Sequence, residues 1–184
     1  MEILDIVDEL GNPTGETVER EKAHQLGILH RTAHVWIVRE KNHHIQVLLQ
    51  KRSHNKDSFP DCYDISSAGH IHAGVDFVSS ALRELKEELG YQASKDELID
   101  CGIRCFEFCE TFHHKFFHDH QVSRIFLLWL DKEAEDFVLQ EEEVSEVKWF
   151  DFDECYERVV NNSFSHCIYQ EELDMIKKKM IMND

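Results

Sequence analysis

The sequence lacks the features that would direct it to a membrane or to a nucleic acid. It has no run of the roughly 20 apolar residues that a membrane-spanning helix needs, and its first residues are not a basic segment followed by an apolar one. We therefore expect a cytoplasmic protein. Positive charge is scarce, with 20 Lys and Arg against 37 Asp and Glu and a formal net charge of −17. This balance argues against nucleic acid or an anionic membrane as a partner, and it suits a protein that recruits cations.

Cysteine pairs, prolines and linkers are also scarce. The six cysteines include no C-x-x-C pair, so neither a zinc ribbon nor a thioredoxin-like site is indicated, and we expect reduced thiols. The chain has two prolines, no internal repeat and no Pro-, Gly- or Ser-rich linker. Its 184 residues and 42% apolar composition suit one globular domain, residues 1–184. The apolar fraction does not decide whether all apolar residues form a core or some of them form the interface of a homodimer.

The stretch that organises the chain covers residues 67–91 and reads SAGHIHAGVDFVSSALRELKEELGY. A glycine-containing loop leads into a segment with apolar residues at i, i+3, i+4 and i+7, which predicts a helix with one buried face that ends at Gly90. Glu84, Glu87 and Glu88 share an adjacent arc of this helix. Their mutual repulsion would turn into attraction around a hard divalent cation such as Mg²⁺ or Mn²⁺. The alternative is a solvated acidic face.

The order of these residues resembles the signature of the Nudix hydrolase family, G-x5-E-x7-R-E-U-x-E-E-x-G-U, in which U is a bulky aliphatic residue. The positions that match at the required spacing are Gly69, Arg83, Glu84, Leu85, Glu87, Glu88 and Gly90. Val75 stands where the pattern has its first glutamate, and Tyr91 stands at the final aliphatic position. The resemblance implies an α/β (α+β) fold, the Nudix-type αβα sandwich with a mixed central sheet, in which the box covers residues 69–91.

The remaining segments can supply the other elements of such a sandwich. We expect an N-terminal hairpin or arm over about residues 1–29, within which residues 16–25 form a short helix or an extended arm. Predicted strands cover residues 30–38, 45–50, 103–108, 122–130 and 147–150, and predicted helices cover about residues 153–160 and 171–182. The polar, aromatic-rich residues 110–121 are expected to be a loop. Their closely spaced histidines suit surface or substrate contacts better than a structural metal.

Outside the box, roughly residues 1–160 are similar to the isopentenyl-diphosphate isomerase branch of that superfamily. The similarity lies in GNPTG, in LHR, in QKRS with Lys56, and in EEEVSEVKWF. It implies that part of that branch's metal site is kept by His24, His30 and His70. The isomerases have a catalytic cysteine before a Gly-His pair, where this chain has Ala68, and Gln121 replaces one of their later acids. Isomerisation is therefore the weaker interpretation, because the thiol that moves a proton is missing.

The resemblance implies a hydrolase that cleaves a diphosphate linkage in a nucleoside diphosphate derivative or another small organic diphosphate. The predicted ligands of Mg²⁺ or Mn²⁺ are Glu84, Glu87, Glu88 and a backbone carbonyl of Ala68 or Gly69. The predicted catalytic residues are Arg83, Glu84 and Glu87, with Glu84 or a carboxylate of residues 141–143 as the base. A basic cluster that would neutralise substrate phosphates consists of Lys51, Arg52 and Lys56.

Two alternatives stay open at this point. One is an enzyme like the isopentenyl-diphosphate isomerases, and the other is a diphosphate-binding protein with reduced catalysis, for which Val75 is the best support. In the family the missing glutamate mainly pairs with the box arginine and steadies the loop, so its loss predicts reduced or unusual activity. We expect Arg83 to pair with Glu87 instead, and Asp76 to cap the helix.

Overall fold

The computed structural model describes residues 1–182. The strands are β1 (Ile3–Val7), β2 (Pro13–Glu19), β3 (His30–Lys41), β4 (His44–Arg52), β5 (Tyr63–Asp64), β6 (Ser67–His70), β7 (Ile99–Phe112), β8 (Lys115–Trp129) and β9 (Val144–Asp151). The helices are α1 (Arg20–Leu26), α2 (Phe77–Leu89), α3 (Phe152–Val160) and α4 (Gln170–Met182). No helix of the described residues is both long and apolar enough to cross a membrane.

The strands form a two-stranded hairpin and a seven-stranded mixed sheet. In the larger sheet the order is β5-β4-β3-β8-β7, with β6 also paired to β3 and β9 paired to β4. β3 and β8 run parallel, and the other pairs of this sheet are antiparallel. β1 and β2 form the separate antiparallel hairpin. The mixed central sheet predicted from the sequence is therefore confirmed.

Helices cover both faces of the large sheet, which makes β3 and its neighbours apolar on both sides. One face packs on α2, where Ile37 and Leu85 belong to the same buried cluster. The opposite face packs on α3 and α4, where Trp36 and Leu173 are both fully buried. Successive residues of β3 thus enter opposite cores, as the period-2 alternation of a strand requires. The result is the three-layer αβα sandwich.

Two local expectations needed revision. Residues 16–25, expected to be a short helix or an extended arm, are divided between the end of β2 and most of α1. The loop expected over residues 110–121 is wrong, because β7 and β8 continue through it to a tight turn at His113 and His114, which have φ of 49° and 63°. Half-buried and exposed side chains alternate along residues 103–109 of β7, directly before this segment, and the strand then continues to the turn. All six cysteines are free thiols.

Candidate active site

Helix α2 is fixed by its two ends and by its apolar face. The Asp76 carboxylate accepts a hydrogen bond from the Ser79 N–H at 2.9 Å, and the hydrogen bonds from Ser79 lower the pKa of Asp76. Gly90 ends the helix in the left-handed conformation, with φ of 63°. Both the cap and the end were predicted from the sequence and are confirmed. Because Leu85 and Leu89 are buried against the sheet, the helix presents its acidic arc toward β6.

Glu88 is the most deeply buried of the three box carboxylates, with 5% of its surface exposed. Its Oε2 accepts hydrogen bonds from Ser67 Oγ at 2.7 Å, from the Ala68 N–H at 3.2 Å and from Gln50 Nε2 at 3.4 Å. Burial raises the pKa of Glu88 to about 8, although the Ser67 hydrogen bond opposes this shift. A bound divalent cation would compensate the cost of ionising this buried group.

Glu84 lies directly against the backbone of β6. A Cβ atom added to Gly69 would stand 2.1 Å from Glu84 Cδ, so only glycine permits this approach. Burial raises the pKa of Glu84 to about 7, with Arg83 opposing the shift and Glu87 adding to it. Glu84 also raises the pKa of Glu88 through like-charge repulsion. Two desolvated carboxylates beside one strand are chemically suited to hold a hard divalent cation.

Arg83 connects the helix to β6. Its Nη1 donates to Glu87 Oε2 at 2.9 Å, and its Nη2 donates to the His70 carbonyl at 3.1 Å and to Glu84 Oε1 at 2.5 Å. The expected pairing of Arg83 with Glu87 is confirmed. The Glu87 side chain is half exposed, unlike the other two carboxylates. Val75, at the position of the missing glutamate, packs against the apolar core under α2.

A cleft of about 1040 Å³ opens beside β6, on the sheet face that carries α4. Of the predicted site residues, its lining includes Ala68, Gly69, Arg52 and Lys56. Lys51 lies outside the lining, and its carbonyl accepts a hydrogen bond from Ser145 Oγ. The three box carboxylates also lie outside the lining, and Glu84 approaches it over Gly69. The geometry thus places the cleft and the acidic helix on either side of β6.

The two cleft cations predicted to bind phosphate already contact protein acceptors. Arg52 donates to the Ser58 carbonyl from Nε at 3.1 Å and from Nη2 at 3.0 Å, and to Asp64 Oδ2 from Nη1 at 3.0 Å. The Lys56 ammonium contacts the Glu143 carboxylate, which also lines the cleft. A substrate phosphate would have to share or displace these partners. Their role in phosphate binding stays a prediction.

Three histidines from distant segments meet at one end of the cleft. The nearest side-chain nitrogens of His24, His30 and His70 all lie within 4.8 Å of one another. Asp119, which sequence reasoning did not single out, places Oδ1 3.5 Å from His24 Nε2 and 3.7 Å from His30 Nε2. Residues two apart on a strand face the same side of the sheet, and Asp119 stands two residues before Gln121 on β8. This spacing could have identified Asp119, since both residues line the cleft.

The protonation of this histidine group favours metal binding. His30 Nδ1–H donates to the Ile28 carbonyl at 2.8 Å, which leaves the lone pair of Nε2 facing the group. Burial lowers the pKa of His30 to about 4 and that of His70 well below its ordinary value, so both are neutral at pH 7. Within residues 1–182, His30 Nε2 and Asp119 Oδ1 are buried without a hydrogen-bond partner. Neutral imidazoles and a carboxylate are ordinary ligands of divalent metals.

Sequence reasoning also missed a buried ion pair in the wall of the cleft. His34 Nδ1 lies 3.0 Å from Glu172 Oε1, and Trp36 Nε1 donates to Glu172 Oε2 at 3.1 Å. Burial alone would lower the pKa of His34, but the Glu172 carboxylate raises it above its ordinary value. Burial would raise the pKa of Glu172, but His34 lowers it. The two residues are 138 positions apart, so no local pattern connects them.

Comparison with known proteins agrees with this geometry. Residues 28–168 match the family model of the NUDIX domain, so the chain belongs to the Nudix family. It is 41% identical to Nudix hydrolase 3 of Arabidopsis thaliana over 155 residues, which are 83% of this chain and 20% of that protein. It is 37% identical to an uncharacterised Nudix hydrolase of Clostridium acetobutylicum over 153 residues, which are 83% of this chain and 71% of that protein. The protein is therefore a Nudix hydrolase.

More distant comparisons concern the branch and the fold. Isopentenyl-diphosphate Delta-isomerase 2 of Photorhabdus laumondii is 28% identical over 152 residues, 80% of this chain and 76% of that protein. This relative fits the predicted resemblance to the isomerase branch. A crystal structure from Deinococcus radiodurans aligns with a TM-score of 0.69 at 18% identity, covering 94% of this chain and 98% of that chain. This second likeness concerns the fold alone.

Proposed function

We propose that the protein catalyses divalent-metal-dependent hydrolysis of a diphosphate linkage in a nucleoside diphosphate derivative or another small organic diphosphate. The observation that carries the proposal is a pair of carboxylates, the buried Glu88 and the largely buried Glu84, which lie against β6 beside a cleft. Two acids with pKa values raised by burial are costly to keep ionised without a cation. Carboxylates with such raised pKa values cluster at functional sites, and the chain belongs to the Nudix family.

Glu84 and Glu88 would hold Mg²⁺ or Mn²⁺, together with Glu87 and a backbone carbonyl of Ala68 or Gly69. When bound, the metal would neutralise diphosphate oxygens and lower the pKa of a bound water. Arg83 keeps the acidic helix in register with β6 through the His70 carbonyl. Its guanidinium also limits the repulsion between neighbouring carboxylates.

A base has to take the proton of the attacking water. Glu84 is one candidate; its pKa of about 7 belongs to the metal-free protein, and it serves as the base only if the metal is held by the other ligands. Glu142 and Glu143 are alternatives because both line the cleft. Glu143 is held by Lys56, which restricts its movement. Comparing the pH profiles of the three Glu→Gln variants assigns the base, since removing it abolishes the acidic limb of the profile.

The central test is product release from a panel of diphosphates with Mg²⁺ or Mn²⁺. The panel contains nucleoside di- and triphosphates, nucleotide sugars, dinucleotides and isoprenoid diphosphates. We expect metal-dependent release of orthophosphate or a nucleotide, reduced about 100-fold or more in Glu88→Gln. Glu157→Gln, an exposed glutamate of α3, is the matched control and should retain activity. Unchanged turnover in Glu88→Gln would overturn the proposal.

An isomerase like that of the distant relative is the second candidate. The meeting of three histidines with Asp119 at the cleft favours it, whereas Ala68 provides no thiol that could move a proton. Incubation with isopentenyl diphosphate separates the two candidates, because an isomerase forms the allylic diphosphate and releases no phosphate. Tight binding without either product would identify a diphosphate-binding protein with reduced catalysis.

A further inference from the structure

Arg104 is a cation of the cleft to which the proposed chemistry assigns no role. It extends from β7, lines the cleft and has 11% of its side chain exposed. Its guanidinium carbon lies 4.6 Å from the ring centroid of Phe106 and 4.4 Å from that of Tyr169. Contacts of this kind with two rings orient the guanidinium plane and leave its N–H edge available.

Few of the donors of Arg104 are used by the protein. A guanidinium has five N–H donors, and within residues 1–182 this one makes a single hydrogen bond, to Glu172 Oε1 at the outer limit of 3.5 Å. A Glu171 oxygen also lies 3.5 Å away, but the Glu171 side chain is 68% exposed and therefore well solvated. Arg52, in the same cleft, has three contacts of 3.0–3.1 Å with protein oxygens. Arg104 is thus less satisfied than Arg52 by its protein contacts.

The carboxylate contacts of Arg104 are also long, and the buried one is shared. Its buried partner, Glu172, is shared with His34 and with the indole N–H of Trp36. One buried carboxylate therefore faces both the imidazole of His34 and the guanidinium of Arg104. Glu171 supplies a second carboxylate, but both carboxylates lie 3.5 Å from the guanidinium and neither makes a short, direct ion pair with it. A largely desolvated cation with such long contacts gains from a ligand that supplies a closer anion.

Strand register separates this cation from the proposed diphosphate position. Arg104 pairs with Ser123, Ser123 pairs with Thr32, and Thr32 pairs with His70, so these residues form one row across four strands. With about 4.8 Å between strands, the Cα atoms of Arg104 and His70 are roughly 14 Å apart. Arg104 and Gly69 thus line the cleft from strands that lie three apart in the sheet, so one ligand lying across the sheet can place a diphosphate beside Gly69 and another anionic group at Arg104.

We propose that Arg104 binds a second oxyanion of the substrate, a carboxylate or a phosphate on the part of the molecule that is remote from the cleaved diphosphate. This inference rests on the proposed hydrolase function and names its substrate class, which is organic diphosphates with an additional acidic group. Arg104 acts as a specificity residue, with Glu172 and the two rings holding its guanidinium in place. A bidentate arginine contact suits both carboxylate and phosphate.

Matched substrates that differ by one anionic group test this role. UDP-glucuronate and UDP-glucose differ by a carboxylate, and NADPH and NADH differ by a phosphate, so the two pairs distinguish the two sources. We expect the wild-type protein to prefer the anionic member of one pair by about tenfold or more in kcat/KM, mainly through KM. Arg104→Met keeps the apolar stem over the rings and should remove this preference while leaving the neutral member unchanged.

Arg124→Met is the matched control. Arg124 lies on β8, pairs with Asp100 and is outside the cleft lining. Its replacement by methionine therefore removes one positive charge, as Arg104→Met does, but leaves the cleft residues unchanged. This variant should keep the wild-type preference. The inference is overturned if Arg104→Met keeps the anionic preference of the wild type. It is also overturned if the wild type prefers the anionic member of neither pair.

A binding measurement separates this inference from the proposed hydrolysis. Inorganic phosphate and malonate are titrated calorimetrically into the metal-free protein in the presence of EDTA. We expect one of them to bind the wild type and Arg124→Met, with affinity reduced about tenfold or more in Arg104→Met. If no diphosphate is hydrolysed but this loss is seen, the hydrolase proposal fails and the anion site stands. Absence of binding to the wild type, or equal binding to Arg104→Met, rejects the anion site.

Discussion

Replacing Gly69 with alanine tests whether the Glu84 carboxylate has to lie against β6. The new Cβ would stand 2.1 Å from Glu84 Cδ and Oε1 and 2.5 Å from Cγ, whereas ordinary contacts begin at 3.4 Å. The carboxylate therefore has to retreat by at least about 1.3 Å, because atoms cannot overlap to that extent. The obstacle is the end of a side chain, so the backbone of β6 can stay in place.

This displacement should lower activity much more than stability. A misplacement of about 1 Å can reduce a catalytic rate about 100-fold, which corresponds to about 2.7 kcal/mol of activation free energy. The backbone of Gly69 is not in the left-handed region, so alanine adopts its conformation without strain. Alanine also restricts the unfolded chain, which offsets part of the repacking cost by about 0.4–1 kcal/mol.

The assay compares kcat/KM for the best substrate of the panel with the free energy of unfolding in urea. Gly74→Ala is the control, because a Cβ at this loop position meets nothing within 4 Å but the residue has φ of +77°. Strain should lower the stability of that variant by about 1 kcal/mol while activity is retained. Wild-type kcat/KM in a folded Gly69→Ala protein would refute the idea that Glu84 acts from its position against β6.

Two further predictions concern charge. Burial raises the pKa of Glu84 to about 7 and that of Glu88 to about 8 from an ordinary 4.5, so the metal-free native state keeps protons that the unfolded chain releases. The contribution of these two groups to the free energy of unfolding should therefore be largest below about pH 4.5. It should fall by several kcal/mol as the pH rises from there through about 8. Urea titrations with EDTA measure this fall, and a flat profile contradicts it. Asp5→Ala leaves Arg31 buried without its 2.7 Å partner and should lower the free energy of unfolding in urea by about 3–5 kcal/mol. Replacing the exposed Glu9 with alanine is the control and should lower it by less than about 0.5 kcal/mol. Equal effects of the two substitutions would show that the Asp5–Arg31 pair does not stabilise the fold.

The parts of the fold that were predictable depend on local pattern. Helix α2 follows from its apolar periodicity, and its bounds follow from Asp76 at one end and Gly90 at the other. The strands around Trp36 and Leu127 follow from their long apolar runs, which only a sheet covered on both faces can bury. The order of box residues then identified the family, because each match stands at a fixed spacing from the others.

The parts that were not predictable depend on pairing between distant segments. The outer ends of β7 and β8 are polar enough to suggest a loop, and only their mutual hydrogen bonds make them strands. Glu172 of α4 meets His34 of β3 because the helix packs across the sheet, and Asp119 meets His30 because β8 runs beside β3. Composition carries no information about these tertiary contacts.

The loop that carries Val75 in place of the box glutamate is supported by the N-terminal hairpin. Asp5 of β1 accepts hydrogen bonds from Arg31 Nη2 at 2.7 Å and from the Gly74 N–H at 2.8 Å, and the same Arg31 nitrogen donates to the Val75 carbonyl at 2.9 Å. These contacts hold the loop through its backbone and not through a side chain at position 75. Arg83, which would otherwise pair with that carboxylate, is available for Glu87 and for the His70 carbonyl. The change at position 75 thus alters what supports the loop, while the buried acids of α2 keep their place beside β6.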